Sequence, residues 1–260
     1  MMRGIYAVVV LDLKRFWLDR ARLLVGLMQP LLYLFVLGSG IGASSQLGLG
    51  AYQRFIFPGT MGLTLLMTAT FAAISIVFDR QIGFFKAVLV SPVPRPAIAF
   101  GKILAGALQA LGQGLILLPF APLAGLRPDL ESVAAMIGAM VIATVVFSAL
   151  GVAVAARFTS VTVFPVVSNA LILPMFFLSG AMYPLAAAPR WMQLLAHFDP
   201  VAYAVDLMRG ALLGNFFFPP ALSLGALAVF VVAVAWAAVR VFNRGEDDSA
   251  LGATRFSWRR

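Results

Sequence analysis

VAAMIGAMVIATVVFSALGVAVAA, residues 133–156, contains no charged side chain, and Thr144 and Ser148 are its only hydroxyls. A helix needs about 20 apolar residues to cross the bilayer core, and this run exceeds that length. A barrel strand would alternate polar and apolar residues instead. In lipid the backbone must satisfy its own N–H and C=O groups, which selects a helix. Five further stretches read the same way. The spans are 23–42, 55–78, 103–122, 133–156, 163–183 and 221–239, and none holds Asp, Glu, Lys, Arg or His. The predicted fold is all-α, a polytopic membrane protein with six transmembrane helices. One transmembrane domain covers 1–242, followed by a tail at 243–260. Composition agrees, since 62% of residues are hydrophobic and only 11% charged, against about 25% charged in soluble domains.

Charge placement sets the orientation. Fifteen of the 19 basic residues fall in the N-terminal segment, the 79–102 loop, the 157–162 turn and the tail. Arg54, Arg127, Arg190 and Arg209 lie on the other side. The positive-inside rule places both termini in the cytoplasm, in a plasma (inner) membrane. The net charge of +9 therefore reads as membrane topology and not as nucleic-acid binding.

Segment 1–22 begins like a signal peptide, and GASS follows the first span like a cleavage site. The segment is too long for that and carries Asp12 and Asp19. It reads better as an interfacial helix on the cytoplasmic surface. Asp12, Arg15, Asp19 and Arg22 share one face, and Tyr6, Val9, Leu13, Phe16 and Trp17 the other. The loop DRQIGFFKAVLVSPVPRPAIAFGK, residues 79–102, predicts a short helix over 79–90, ended by Pro92, Pro94 and Pro96. That helix would present Phe84, Phe85, Val88 and Leu89 beside Arg80 and Lys86. These four form either a docking peg for a soluble partner or an interfacial surface lying in the headgroups.

Segment 184–220 is external and apolar, but Asp206 and Arg209 make it a poor span. It predicts two short helices dipping back into the outer leaflet, with Asp199 as N-cap and Pro200 as first residue of the second. Asp206 and Arg209, three apart, are expected to pair.

Catalytic and cofactor motifs are missing from the sequence. Gly101-Lys102 lacks both the earlier glycine and the following hydroxyl of a phosphate loop, so ATP binding is not expected here. With no cysteine and only His197, no multi-ligand metal site is expected. Ion-coupled transporters place ionisable groups at membrane depth. Their absence from the spans leaves only a site of carbonyls and hydroxyls open for ion coupling. Thr60, Thr64 and Thr68 make a stripe on the second span, Gln109 and Gln113 share a face of the third, and Ser168 and Asn169 lie on the fifth. They are candidates for lining a path, or for bonding helices together.

Three stretches resemble a known family: LVGLMQPLLYLFVLGSGIG, FDRQIGFFKAVLVSPVPRPAIAFGKILAGALQALGQGLI and FFLSGAMYPLAAAPRWMQLLAHFDPVAYAVDLMRGALLG. They are similar to the membrane permeases of type-2 ABC exporters, a class that includes daunorubicin-type drug, nodulation-factor and polysaccharide exporters. One departure is Gln81, where relatives often carry an acidic residue. The resemblance implies a transport subunit paired with a second permease copy or a similar partner. Separate ATP-binding cassette ATPase subunits would carry ATP and magnesium. Asp79, Arg80, Phe84, Phe85, Val88 and Leu89 would belong to the coupling helix. The first, second and fifth spans would surround the path, and the external helices with Asp199, Asp206 and Arg209 would cap it. Two alternatives are export of a lipid-linked polysaccharide, and, from another class, a membrane-embedded lipid-modifying enzyme using Asp79, Arg80, Asp199, Asp206 and Arg209. A passive membrane scaffold is a third.

Overall fold

The computed structural model describes residues 2–44, 49–81 and 95–255, and these are all helical or connecting, without a strand among them. Helix α1 is Met2–Leu18. Helix α2 (Arg20–Leu32) continues through one π turn, Tyr33–Leu37, into α3 (Gly38–Ser44). Asp19 caps α2 by accepting a bond from the Arg22 amide at 3.0 Å. Helices α4 (Leu49–Ala72) and α5 (Ile74–Gln81) follow one another across a turn at Ala73. Next come α6 (Arg95–Leu117), α7 (Leu130–Ala155) and α8 (Val163–Leu178). Two short helices, α9 (Arg190–Ala196) and α10 (Pro200–Leu213), precede α11 (Pro220–Arg255).

Helix α7 holds the run that opened the sequence reading. A helix apolar on every side belongs in the interior, and α7 packs against α4, α5, α6, α8, α10 and α11. Asp129 caps its start, accepting from the Ser132 amide at 3.1 Å. Its contact with α4 depends on Gly151, where a Cβ would lie 2.7 Å from the Thr70 backbone. Only a residue without a side chain admits that approach.

Five helical stretches are long and apolar enough to cross a membrane: Arg20–Ala43, Gly50–Gln81, Ala97–Ala124, Leu130–Ala155 and Pro220–Ala238. The fifth expected span is shorter than 163–183. Helix α8 stops at Leu178, and Gly180 then turns the chain at φ +71°. Several stretches also extend past the predicted limits. They take in Arg20, Arg22, Arg54, Asp79, Arg80, Lys102 and Glu131, so the expected freedom from charge holds for the middles of the spans and not for their ends. Helix α11 runs on to Arg255, into the segment set off as the tail. In segment 184–220 the two short helices form as predicted. Asp199 accepts from the Val201 amide at 2.9 Å, and Pro200 opens α10.

The first and last spans lie at the periphery, each only 17% buried, against 56% for Leu130–Ala155. Gly151→Leu should force α4 and α7 apart, at a cost of about 1–3 kcal/mol for overpacking. Gly138→Leu, where a Cβ meets nothing within 4 Å, should be far milder. Thermal unfolding of the two purified variants checks the difference.

Candidate functional site

An apolar cavity of about 430 Å³ opens between α2, α4 and α6. Val25, Leu63, Met67 and Phe71 form its walls, and Gln29, Thr64, Thr68 and Gln113 bring uncharged polar side chains to it. Arg22 stands at its edge. The threonine stripe of the second span thus reaches the cavity at two of its three positions. Thr60 and Thr64 donate to the carbonyls of Phe57 and Thr60, both at 2.8 Å. Thr68 donates to Gln113 Oε1 at 2.8 Å, tying α4 to α6. The amide nitrogen of Gln113 has no acceptor. Ser168 is buried with an unpartnered hydroxyl, and Asn169 is half-buried; both sit on α8, away from this cavity.

At one end of the bundle, Lys102 of α6 is 7% exposed. Its ammonium lies 3.0 Å from Asp12 Oδ2, 3.0 Å from Asp79 Oδ2 and 3.0 Å from Ser75 Oγ. An ammonium has three donors, and each is used. Arg15 approaches Asp79 at 3.7 Å, and Gln109 donates to the Asp12 carbonyl at 3.3 Å. The cluster fastens α1 to α5 and α6. Asp12, placed on the solvated face of the N-terminal helix by the sequence, is buried. Phe16, placed on the opposite face, is also buried, whereas Tyr6, Trp17 and Leu18 stay exposed.

Two residues of the expected coupling helix belong to this region. Asp79 is held by Lys102, and Arg80 donates to the Ala156 carbonyl at 2.8 Å. Phe84, Phe85, Val88 and Leu89 lie outside the described residues. The sequence reading missed Lys102, Ser75 and the inward role of Asp12. The available signal was charges of both signs, Asp12, Asp79 and Lys102, beside the apolar parts of neighbouring segments.

At the opposite end of the bundle, Asp206 and Arg209 do not form the expected ion pair. Asp206 accepts from the Phe217 and Phe218 amides at 2.8 and 3.0 Å, holding the strap after α10. Arg209 lies 4.0 Å over the Phe55 ring, and its Nη2 donates to the Gly180 carbonyl at 2.9 Å. A backbone carbonyl reaches the guanidinium in place of the carboxylate one turn away, so α4, α8 and α10 meet at this side chain. Burial lowers the Arg209 pKa to about 10, with Asp206 opposing the shift, so the group stays cationic at neutral pH. Asp199 is pushed up to about 7 by burial, opposed by its bond from Val201, and its Oδ2 has no partner.

Replacing Lys102 by Met should leave two buried carboxylates without their cation, a loss of about 3–5 kcal/mol. The triple variant with Asp12→Asn and Asp79→Asn should recover much of it, because no net buried charge remains. Unfolding midpoints of the three proteins decide it; a stable Lys102→Met single variant contradicts the clamp. For Asp199 the raised pKa means that the fold prefers the protonated acid. Its stabilising contribution is complete below the ordinary value of 3.8 and is lost as pH rises through about 7. Asp199→Asn keeps the cap and should flatten that part of the pH profile of the unfolding midpoint.

The ABC-2 type transporter family model matches residues 3–213, from α1 to the end of α10. Over 215 residues the chain is 30% identical to Nodulation protein J of Rhizobium leguminosarum bv. viciae, covering 82% of this chain and 83% of that protein. It is 27% identical over 228 residues to Nodulation protein J of Neorhizobium galegae, with 86% of each covered. To the ycf38 transport permease of Porphyra purpurea it is 28% identical over 200 residues, 74% of this chain and 68% of that one. A multi-pass helical bundle matched along this length is a transport permease, and the chain belongs to the ABC-2 type transporter family.

Proposed function

We propose that this chain is the permease half of an ATP-binding cassette exporter, moving a hydrophobic or amphipathic, drug-like or lipid-like molecule outward across the plasma membrane. The observation that carries this reading is the cavity between α2, α4 and α6. Its apolar walls suit an apolar body, and the uncharged stripe of Thr64, Thr68 and Gln113 suits a few polar groups on it. The spans keep their middles free of ionisable side chains, so coupling to ions through carboxylates has no site there. Permeases of this family normally work with an ATP-binding subunit, and the sequence carries no phosphate loop of its own.

In this reading α8 completes a set of six spans, both termini face the cytoplasm, and α1 lies along the inner surface. The exposure of Tyr6, Trp17 and Leu18 supports that placement. Leu24, Val25, Met28 and Leu32, exposed on α2, face lipid or a second permease copy. The ATPase would engage Phe84, Phe85, Val88 and Leu89, while Asp79 and Arg80 anchor the base of that segment to the bundle.

Co-expression with an ATP-binding cassette subunit should give ATP-dependent export. Phe85→Asp should block recovery of the ATPase with the permease, since burying one such side chain contributes about 1.5–3 kcal/mol. Membrane abundance of the variant should be unchanged. Co-purification at the wild-type yield, with export intact, would remove Phe85 from the interface.

A further inference from the structure

A second cavity, of about 490 Å³, lies at the outer end of the bundle between α4 and α10. Arg54, Phe55, Asp206, Arg209, Asn215 and Phe216 line it. Arg209 is only 6% exposed. Its Nη2 bonds to the Gly180 carbonyl and, at 3.5 Å, to that of Ala181, but its buried Nε has no acceptor. Asp206 does not close this deficit, because both of its oxygens are taken by the amides of Phe217 and Phe218. Arg54 brings a second guanidinium to the same cavity and is exposed, with its Nε on the Gly50 carbonyl at 3.2 Å.

Burying a cation is costly, and an oxyanion in the cavity that Arg209 lines offsets that cost. The planar guanidinium fork matches phosphate and carboxylate geometry. Two guanidinium groups face one carboxylate already committed to backbone amides, so the cavity favours an anion. Its apolar walls include Phe55, Phe216, Leu185 and Leu213, and the two aromatic rings would cover the apolar body attached to that anion.

We infer that this outer cavity binds the phosphate head of an amphipathic molecule, with Arg209 and Arg54 on the oxygens and Phe55 and Phe216 against the adjoining apolar part. The site is separate from the cavity between α2, α4 and α6, and its occupation does not depend on which molecule that cavity carries.

The test uses the purified full chain in a neutral detergent, titrated with dihexanoyl phosphatidate, with inorganic phosphate and with dihexanoyl phosphatidylcholine. Phosphatidate should bind saturably, and the other two much more weakly. Arg54→Gln removes one charge-assisted contact from an exposed position and should weaken phosphatidate binding about tenfold. Arg209→Gln should abolish it. If Arg209→Gln fails to fold, Arg54→Gln decides alone, because its backbone contact is peripheral. Absence of saturable phosphatidate binding, or wild-type affinity in Arg54→Gln, overturns the assignment. Inorganic phosphate binding as tightly as phosphatidate overturns the amphiphile and assigns the site to free phosphate.

Discussion

The ammonium of Lys102, enclosed by Asp12, Asp79 and Ser75, is the contact on which the inner half of the bundle depends. Removing three charged groups from water costs several kcal/mol per ion, and the penalty is recovered only with close geometry and every donor satisfied. Here α1 reaches it through Asp12, α5 through Asp79 and Ser75, and α6 through Lys102 itself. None of these helices can shift along its axis without opening a buried charge. The arrangement also explains why the N-terminal helix packs on α6. An amphipathic helix resting only on lipid would have no fixed register.

The membrane constraint made much of the fold legible. The apolar run at 133–156 became the central helix α7 because a helix without a polar face has nowhere to go but the interior. The Asp199-Pro200 start of α10 formed as read, since a cap needs only local residues. What stayed hidden was tertiary. The same polar spacing that puts Asp12 and Asp19 on one helix face suits water and a buried lysine equally well, and only the packing of α6 chooses. Asp206 and Arg209 satisfy the spacing of a helical ion pair, yet backbone groups brought in by the turn at Gly180 and the strap at Phe217–Phe218 compete for both. Of the path candidates, Thr64 and Thr68 meet Gln113 at the cavity because α4 and α6 pack with those faces together. Ser168 and Asn169 gave the same kind of signal in sequence, but α8 places them elsewhere.

The polar groups therefore divide by depth. Uncharged ones sit within the spans, where Thr60 and Thr64 bond to carbonyls and Thr68 to Gln113, while Ser168 bonds to neither. Such bonds are worth about 0.6–2 kcal/mol in membranes, enough to fix a helix pair and too little to lock it. Charged ones sit at the ends, where separation costs far more. A permease that must let α2, α4 and α6 part around a passenger gains from weak bonds at the cavity and strong ones at its margins.

The α4–α5 pair connects the two margins. Phe55 lies beneath Arg209 at its outer end, and Asp79 beneath Lys102 at its inner end. At about 1.5 Å per residue that interval is on the order of 36 Å, slightly more than the roughly 30 Å hydrocarbon core. The Arg209–Phe55 and Lys102–Asp79 contacts thus stand about one hydrocarbon thickness apart along this helix pair. The cavity with Thr64 and Thr68 lies between them. Lys102 and Gln113 share α6, and Ser75 and Asp79 follow α4 across Ala73, so the Lys102 cluster is joined to the cavity along both helices. The turn at Ala73 and the Gly151 contact with Thr70 stand between that cluster and the cavity.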